Sequence, residues 1–199
     1  MSGILDMLMS QLGGKELGNL GRQVGASEDT MSKAVAAALP MLLGALKRNA
    51  SSGAGAEALN SALDKHDGGI LDNIGDFLNQ SPSDSDDRML GHIFGNKRAT
   101  VERSLENSAG LGQGMGGNLL KNLAPLLLGA MGKSKRQQSG FSLNDLTSML
   151  GQETETVSRK QPGANGLIEQ LLDSDGDGDV DLSDMMKKGG GLLGSLLGR

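Results

Sequence analysis

Twelve residues towards the C-terminal end of the chain, DSDGDGDVDLSD, carry the densest set of side chains that could do chemistry. Six of them are aspartates, at the first, third, fifth, seventh, ninth and twelfth positions: Asp173, Asp175, Asp177, Asp179, Asp181 and Asp184. Carboxylates held this close repel one another, and a divalent cation that they coordinate removes the repulsion. The spacing therefore indicates a metal site.

The spacing matches that of a calcium-binding EF-hand loop, which takes oxygen ligands from these six positions and needs glycine at the sixth for a sharp turn. Gly178 stands at the sixth position, and Val180 stands at the eighth, where an apolar side chain packs inward. Asp179 would contribute its backbone carbonyl, and Asp181 would bind directly or through water. The alternative is a disordered acidic linker, but such linkers rarely place Gly and Val in these positions. We therefore expect Ca²⁺ to bind here.

Two features distinguish this loop from a paired calcium sensor. Asp184 stands where a bidentate Glu is usual, and the helix after the loop has room only from Ser183 to Lys188 before Gly189–Gly191. The segment resembles dockerin-type and other single bacterial calcium loops, so we expect affinity in the micromolar to millimolar range. The helix that enters the loop is predicted from four apolar residues: Leu167, Ile168, Leu171 and Leu172.

The last residues, GGGLLGSLLGR, form a second apolar pattern. Its leucines recur with the spacing of one helix face: Leu192, Leu193, Leu196 and Leu197. Such a peptide can dock on a partner protein, on a second copy of the chain or on its own bundle. Two hypotheses follow. Either the protein is a calcium-binding protein whose C-terminal segment calcium orders, or it is a structural, self-assembling protein that calcium and the leucine tail stabilise.

Composition predicts an all-α fold. The chain has 199 residues, 11 Met, three Phe and neither Trp nor Tyr, so its core must be built from aliphatic residues and Met. Runs of β-branched or strictly alternating residues, which are typical of strands, are scarce. Apolar residues instead recur with helical spacing along most of the chain.

Charge and hydropathy narrow the class of partner. Six of the 24 acidic residues lie in the aspartate loop, and the other 18 nearly balance the 19 Lys and Arg, so we expect no nucleic-acid binding. The N-terminus lacks the basic region of a signal peptide. The longest apolar run, residues 34–46, contains Pro40 and is shorter than the roughly 20 residues of a membrane span. These features predict no membrane span and a cytoplasmic location.

Motifs for catalysis are weak. His66 and His92 lack the neighbours of a zinc site, and no Ser lies in a G-x-S-x-G elbow. Gly112, Gly114 and Gly117 match G-x-G-x-x-G, but no predicted strand precedes them, so a flexible entry to a helix is the better interpretation. The sequence predicts a protein that is not an enzyme.

Two segments repeat one pattern of apolar residues around a proline. LPMLLGAL contains Pro40, and APLLLGAM contains Pro125, each with glycine four residues later. Each proline either bends a central helix or starts a new one. The bundle around these helices is predicted to span residues 1–151, with Gly151 closing its last helix. A linker over 152–165, the EF-hand-like segment over 166–188 and the tail over 189–199 follow.

Four stretches, taken in order, resemble the YidB-like family of uncharacterised bacterial proteins over roughly residues 1–150. They are LPMLLGAL, GGILDNIGDFL, MLGHIFGNKRATVERSLENSAGL and LLKNLAPLLLGAM. The resemblance implies an all-helical bundle and no established enzymatic activity. It implies no obligatory calcium loop, so the calcium prediction depends on the loop residues alone.

Overall fold

The computed structural model describes residues 3–160. Within that range the chain forms nine α-helices and no strand, which confirms the predicted all-α class. The helices are α1 Ile4–Gln11, α2 Lys15–Val24, α3 Glu28–Ala50, α4 Gly53–Lys65, α5 Ile74–Leu78, α6 Asp84–Phe94, α7 Arg98–Ala109, α8 Met115–Gln137 and α9 Leu143–Lys160. Short 3-10 turns at Gly69–Asn73 and Gly95–Lys97 join α4 to α5 and α6 to α7.

Two helices of 23 residues each, α3 and α8, form the centre of the bundle. They pack against each other, and α2, α4, α6 and α7 pack against both. The middle of each central helix is almost entirely apolar, with Asn122 of α8 as the one polar residue in the two stretches that follow, as expected of a helix enclosed by others. Residues 38–46 of α3 and 122–132 of α8 are all buried. The core is accordingly aliphatic, with Phe94 as its one fully buried aromatic residue in residues 3–160.

Pro40 and Pro125 lie inside these two helices, so neither proline starts a new helix. Each proline lacks the N–H that would bond to the carbonyl four residues earlier. Burial of the surrounding apolar residues outweighs that loss, because full burial of one leucine side chain contributes about 1.5–3 kcal/mol. The prediction of two central proline-containing helices is confirmed.

Gly132 lets the end of α4 cross α8 at very short range. A β-carbon at this position would lie 1.8 Å from the carbonyl oxygen of His66. Since no side chain can occupy that space, the backbone at His66 is fixed against α8. The close approach thus depends on glycine at position 132.

The predicted linker over residues 152–165 is wrong for its first part. Helix α9 continues through Gly151 to Lys160, and residues 152–160 are helical. Polar residues that looked solvated are buried: the Glu153 carboxylate accepts hydrogen bonds from the N–H groups of Ile4 at 2.7 Å and Leu5 at 3.3 Å. It thus caps the N-terminus of α1, while Val157 packs into the core.

A stretch rich in Asp and Ser forms the first turn of α6. Helix α6 begins at Asp84, because Ser83 and Asp86 form a capping box. The Asp86 carboxylate accepts from the Ser83 N–H at 2.7 Å, which stabilises the first turn of a polar sequence. Residues 161–165 of the predicted linker, the EF-hand-like segment and the leucine tail lie outside the described residues.

Candidate functional site

The predicted calcium ligands, Asp173, Asp175, Asp177, Asp179, Asp181 and Asp184, lie outside the described residues, as do Leu192, Leu193, Leu196 and Leu197. Across residues 3–160, no three or more His, Asp or Glu side chains are grouped so that they could hold a metal ion. What this part of the molecule offers instead is a surface groove.

The groove lies between α4 and α6, which each pack against both α3 and α8. We call it the α4–α6 groove, and its volume is about 1010 Å³. Its floor is apolar and is formed by buried residues of α3, α4, α6 and α8: Leu46, Leu59, Ile93 and Leu128. A groove with this floor, flanked by two helices, has the form that receives an amphipathic helix.

Small side chains line the α4 side of the groove. Gly55, Ala58 and Ala62 follow one another at helical spacing, and His66 continues the same face at the end of the helix. On the α6 side, Met89 contributes an unbranched apolar chain that adapts to different partners. The α4 side therefore leaves space for another helix to approach, and the α6 side can adjust to it.

Basic side chains line the groove. Arg48, Arg88, His66 and His92 line it, and no Asp or Glu is among its lining residues. Arg88 and His92 are exposed, whereas Arg48 and His66 are half-buried. Both histidines of the chain thus meet in one place, although they are 26 residues apart in sequence.

Burial affects the two half-buried groups. It lowers the pKa of His66, an effect that the nearby negative charges of Asp86 and Asp67 partly oppose. Burial also lowers the pKa of Arg48, whose guanidinium donates to the carbonyl of Phe94 at 3.5 Å. An anionic partner would favour the charged forms of both side chains, because it replaces the solvation that burial removes.

Asn49 fixes the shape of one end of the groove. Its side-chain amide donates to the carbonyls of His92 at 3.2 Å and Ile93 at 2.9 Å, and so holds the last turn of α6 against α3. These carbonyls have no partner within their own helix, so the amide also stabilises the C-terminus of α6. These hydrogen bonds therefore hold the α6 wall of the groove in place against α3.

The glycine-rich segment before α8 is already occupied by a carboxylate of the protein. The Glu106 side chain accepts from the N–H of Gly114 at 2.7 Å and from that of Gly116 at 3.1 Å. A carboxylate here takes the place that a phosphate would need at a helix N-terminus. This arrangement agrees with the interpretation of Gly112, Gly114 and Gly117 as a helix entry.

The basic clusters at residues 133–136 and 97–98 lie at helix ends and pair with acids. Lys135 binds Asp64 at 2.6 Å, and Arg136 lies 3.5 Å from Asp67. Arg98 binds Asp87 at 2.7 Å. None of the helices between residues 3 and 160 combines the length and apolar character that crossing a bilayer requires.

The fold and the groove define a class of all-helical protein built on two central proline-containing helices, with an open groove between α4 and α6. The chain belongs to DUF937, a family described as bacterial protein of unknown function, whose model matches residues 6–134. Comparison with curated proteins and with solved structures gives no match.

The α4–α6 groove was not predicted from the sequence. The spacing of Gly55, Ala58 and Ala62 was available as a signal, but it is equally typical of a packed helix face. His66 and His92 were interpreted separately, because nothing local places α4 beside α6. A better signal for the groove is that the faces of α4 and α6 that line it both lack acids.

Proposed function

We propose that the protein is a non-enzymatic calcium-binding protein in which Ca²⁺ orders the C-terminal segment. The observation that carries the proposal is the spacing of the loop: six aspartates stand at the six ligand positions, with Gly178 at the turn and Val180 at the inward position. The ligands would be Asp173, Asp175, Asp177, Asp179, Asp181 and Asp184, and the ion would order residues 167–188.

The end of α9 supports this proposal by shortening the connection to the loop. Lys160, in the last turn of α9, binds the carboxylate of Asp6 at 2.7 Å, which joins the end of this helix to α1. Only residues 161–166 then separate the bundle from the predicted entering helix. Ordering of the loop by calcium would therefore act close to a fixed point of the bundle.

The carboxylates with lowered pKa in the bundle support a structural role for those acids. The pKa of Asp6 is lowered by its hydrogen bond to Lys160, and that of Asp145 by its hydrogen bonds to Ser142. Each of these acids stabilises a helix end or a helix contact. The proposal also includes the resemblance of residues 1–150 to YidB-like proteins within DUF937. That resemblance implies no established enzymatic activity.

Isothermal calorimetry with Ca²⁺ tests the proposal on the full chain. We expect wild type to bind one ion with a Kd between about 1 μM and 1 mM, and Asp173→Ala to weaken binding at least about tenfold. The matched control is Asp76→Ala, which removes an exposed acid from a surface cavity that Glu16 and Asp72 also line. Absence of heat from wild type at millimolar Ca²⁺, or equal loss in both variants, would refute the proposal.

A further inference from the structure

We propose that the α4–α6 groove binds the protein's own segment Leu167–Asp177 when calcium is absent, and that calcium releases it. The inference rests on the proposed calcium site for its regulation, but the docking itself depends only on the groove and on the sequence of the segment. It assigns a ligand to the groove and a consequence to calcium binding.

The apolar residues of the segment match the floor of the groove. Leu167, Ile168, Leu171 and Leu172 have the spacing of one face of a short helix. The floor offers Leu46, Leu59 and Ile93, and the small side chains at Ala58 and Ala62 leave room for branched ones. A helix seated in an apolar groove through residues at such spacing is a recurrent mode of peptide recognition.

Charge selects this segment over the leucine tail. The apolar residues at 167–172 contain Glu169 and lead directly into Asp173, Asp175 and Asp177, whereas Lys187, Lys188 and Arg199 flank the leucines of the tail. A groove that Arg48 and Arg88 line, with no acid among its lining residues, attracts the first and repels the second. Of the two apolar stretches outside the described residues, complementary charge therefore favours the one at 167–172 as the ligand of the groove.

The connection is short enough to favour docking within one chain. Lys160 lies in a small cavity with Ala36 and Pro40 of α3, and the groove begins at Leu46 of the same helix. Ten residues of helix separate Ala36 from Leu46, a rise of about 15 Å. Residues 161–166 span up to about 20 Å when extended. A short tether gives the segment a high effective concentration at the groove.

Calcium and the groove would use the same groups of the segment. Coordination engages the carboxylates of Asp173, Asp175 and Asp177, which the arginines of the groove would otherwise attract. In a closed hand, Leu171 and Leu172 pack with Val180 and so leave the groove. Because binding at one site is then weakened by the other, calcium lowers the affinity of the groove, and the groove lowers the affinity for calcium by the same factor.

Disulfide trapping in the full chain tests the docking, since the protein has no cysteine of its own. We compare two double variants. The groove pair combines Ala58→Cys with Leu171→Cys, which docking brings together, and the control pair combines Ser61→Cys with Leu171→Cys. Ser61 is an exposed residue of α4 that does not line the groove. In a calcium chelator, we expect the groove pair to form an intramolecular disulfide about tenfold faster than the control pair, and saturating Ca²⁺ to remove most of that difference.

Each outcome bears on one part of the proposal. Equal rates for the two pairs in chelator would overturn docking, and a covalent dimer as the main product would overturn docking within one chain. A faster groove pair that Ca²⁺ leaves unchanged, in a protein that binds Ca²⁺ by calorimetry, would overturn the release by calcium. Absence of calcium heat would refute the proposed function alone, because trapping in chelator reports docking independently.

A charge reversal gives a second readout that does not depend on cysteines. We expect Arg88→Glu to tighten calcium binding by about fivefold, because the loop no longer leaves an attractive groove when it binds the ion. Arg103→Glu is the matched control, since Arg103 is an exposed arginine of α7 outside the groove. Equal calcium affinity of the two variants would contradict the reciprocity on which the inference depends.

Discussion

The two sides of α6 differ in how their charged side chains are arranged. On one side, the carboxylate of Asp87 binds Arg98 at 2.7 Å and Lys121 at 2.8 Å, and so connects α6 to α7 and α8. On the other side, Arg88 and His92 line a groove that has no acid among its lining residues. The first arrangement is what a bundle needs to fix its own helices. The second gathers basic side chains in a groove without a lining acid, which is the surface that we propose binds an acidic segment.

The largest effect that we expect concerns the contact between α4 and α8. Gly132→Ala would bring a β-carbon within 1.8 Å of the His66 carbonyl oxygen, so α4 must shift away from α8. We expect the free energy of unfolding in urea to fall by about 3 kcal/mol, the upper part of the range for overpacked sites.

Gly91→Ala is the control for that substitution. Gly91 lies within α6, and a β-carbon there would meet no atom within 4 Å. Alanine should stabilise this helix by about 0.5–1 kcal/mol. Equal destabilisation by the two substitutions would show that the crossing of α4 and α8 is not the tight contact described.

The next effect concerns the ion pairs of Asp87. Hydrogen bonds from Arg98 and Lys121 hold the pKa of Asp87 well below its usual range. The stability that these pairs contribute is present above the unfolded pKa of about 3.9 and is lost as the pH falls through the lower folded pKa. We therefore expect Asp87→Asn to be less stable than wild type in urea at pH 7 and 5, by less than Gly132→Ala.

The difference between wild type and Asp87→Asn should then shrink steadily below about pH 4, where the unfolded-state carboxyl group becomes protonated. Urea unfolding at pH 7, 5, 4 and 3 measures it. A difference that stays constant from pH 7 to 3 would show that the loss comes from packing rather than from the ion pairs.

The smallest effect is expected on the groove side. Arg88 is exposed, and exposed substitutions away from caps and cores usually change stability by less than about 0.5 kcal/mol. Arg88→Ala should therefore unfold like wild type in urea. A loss comparable to that of Asp87→Asn would mean that Arg88 is a structural charge, and the contrast between the two sides of α6 would disappear.

Local patterns predicted the centre of the fold well. The apolar stretches around Pro40 and Pro125 indicated two buried helices, and the structure has them as α3 and α8. The end of α9 was missed because Glu153 is stabilised by Ile4, which lies 149 residues away in sequence. Nothing near Glu153 distinguishes a buried cap from a solvated linker residue.

The two candidate sites differ in the same respect. The proposed calcium loop is contained in twelve consecutive residues, so its spacing alone predicts which residues would be ligands. The α4–α6 groove takes its lining residues from α3, α4, α6 and α8, which only the packing of the bundle brings together. A site made of consecutive residues can be recognised in the sequence itself. A site assembled from several helices can be recognised only once the fold is known.

One titration tests the account most directly: Ca²⁺ added to the full chain while amide signals are followed by NMR. We expect three glycine signals to change with one shared midpoint in Ca²⁺. They are those of Gly178 in the loop, Gly55 in α4 and Gly91 in α6, the two helices that flank the groove. Such a result would link calcium binding to release from the groove. Unchanged signals for Gly178 at millimolar Ca²⁺ would contradict the account at its centre.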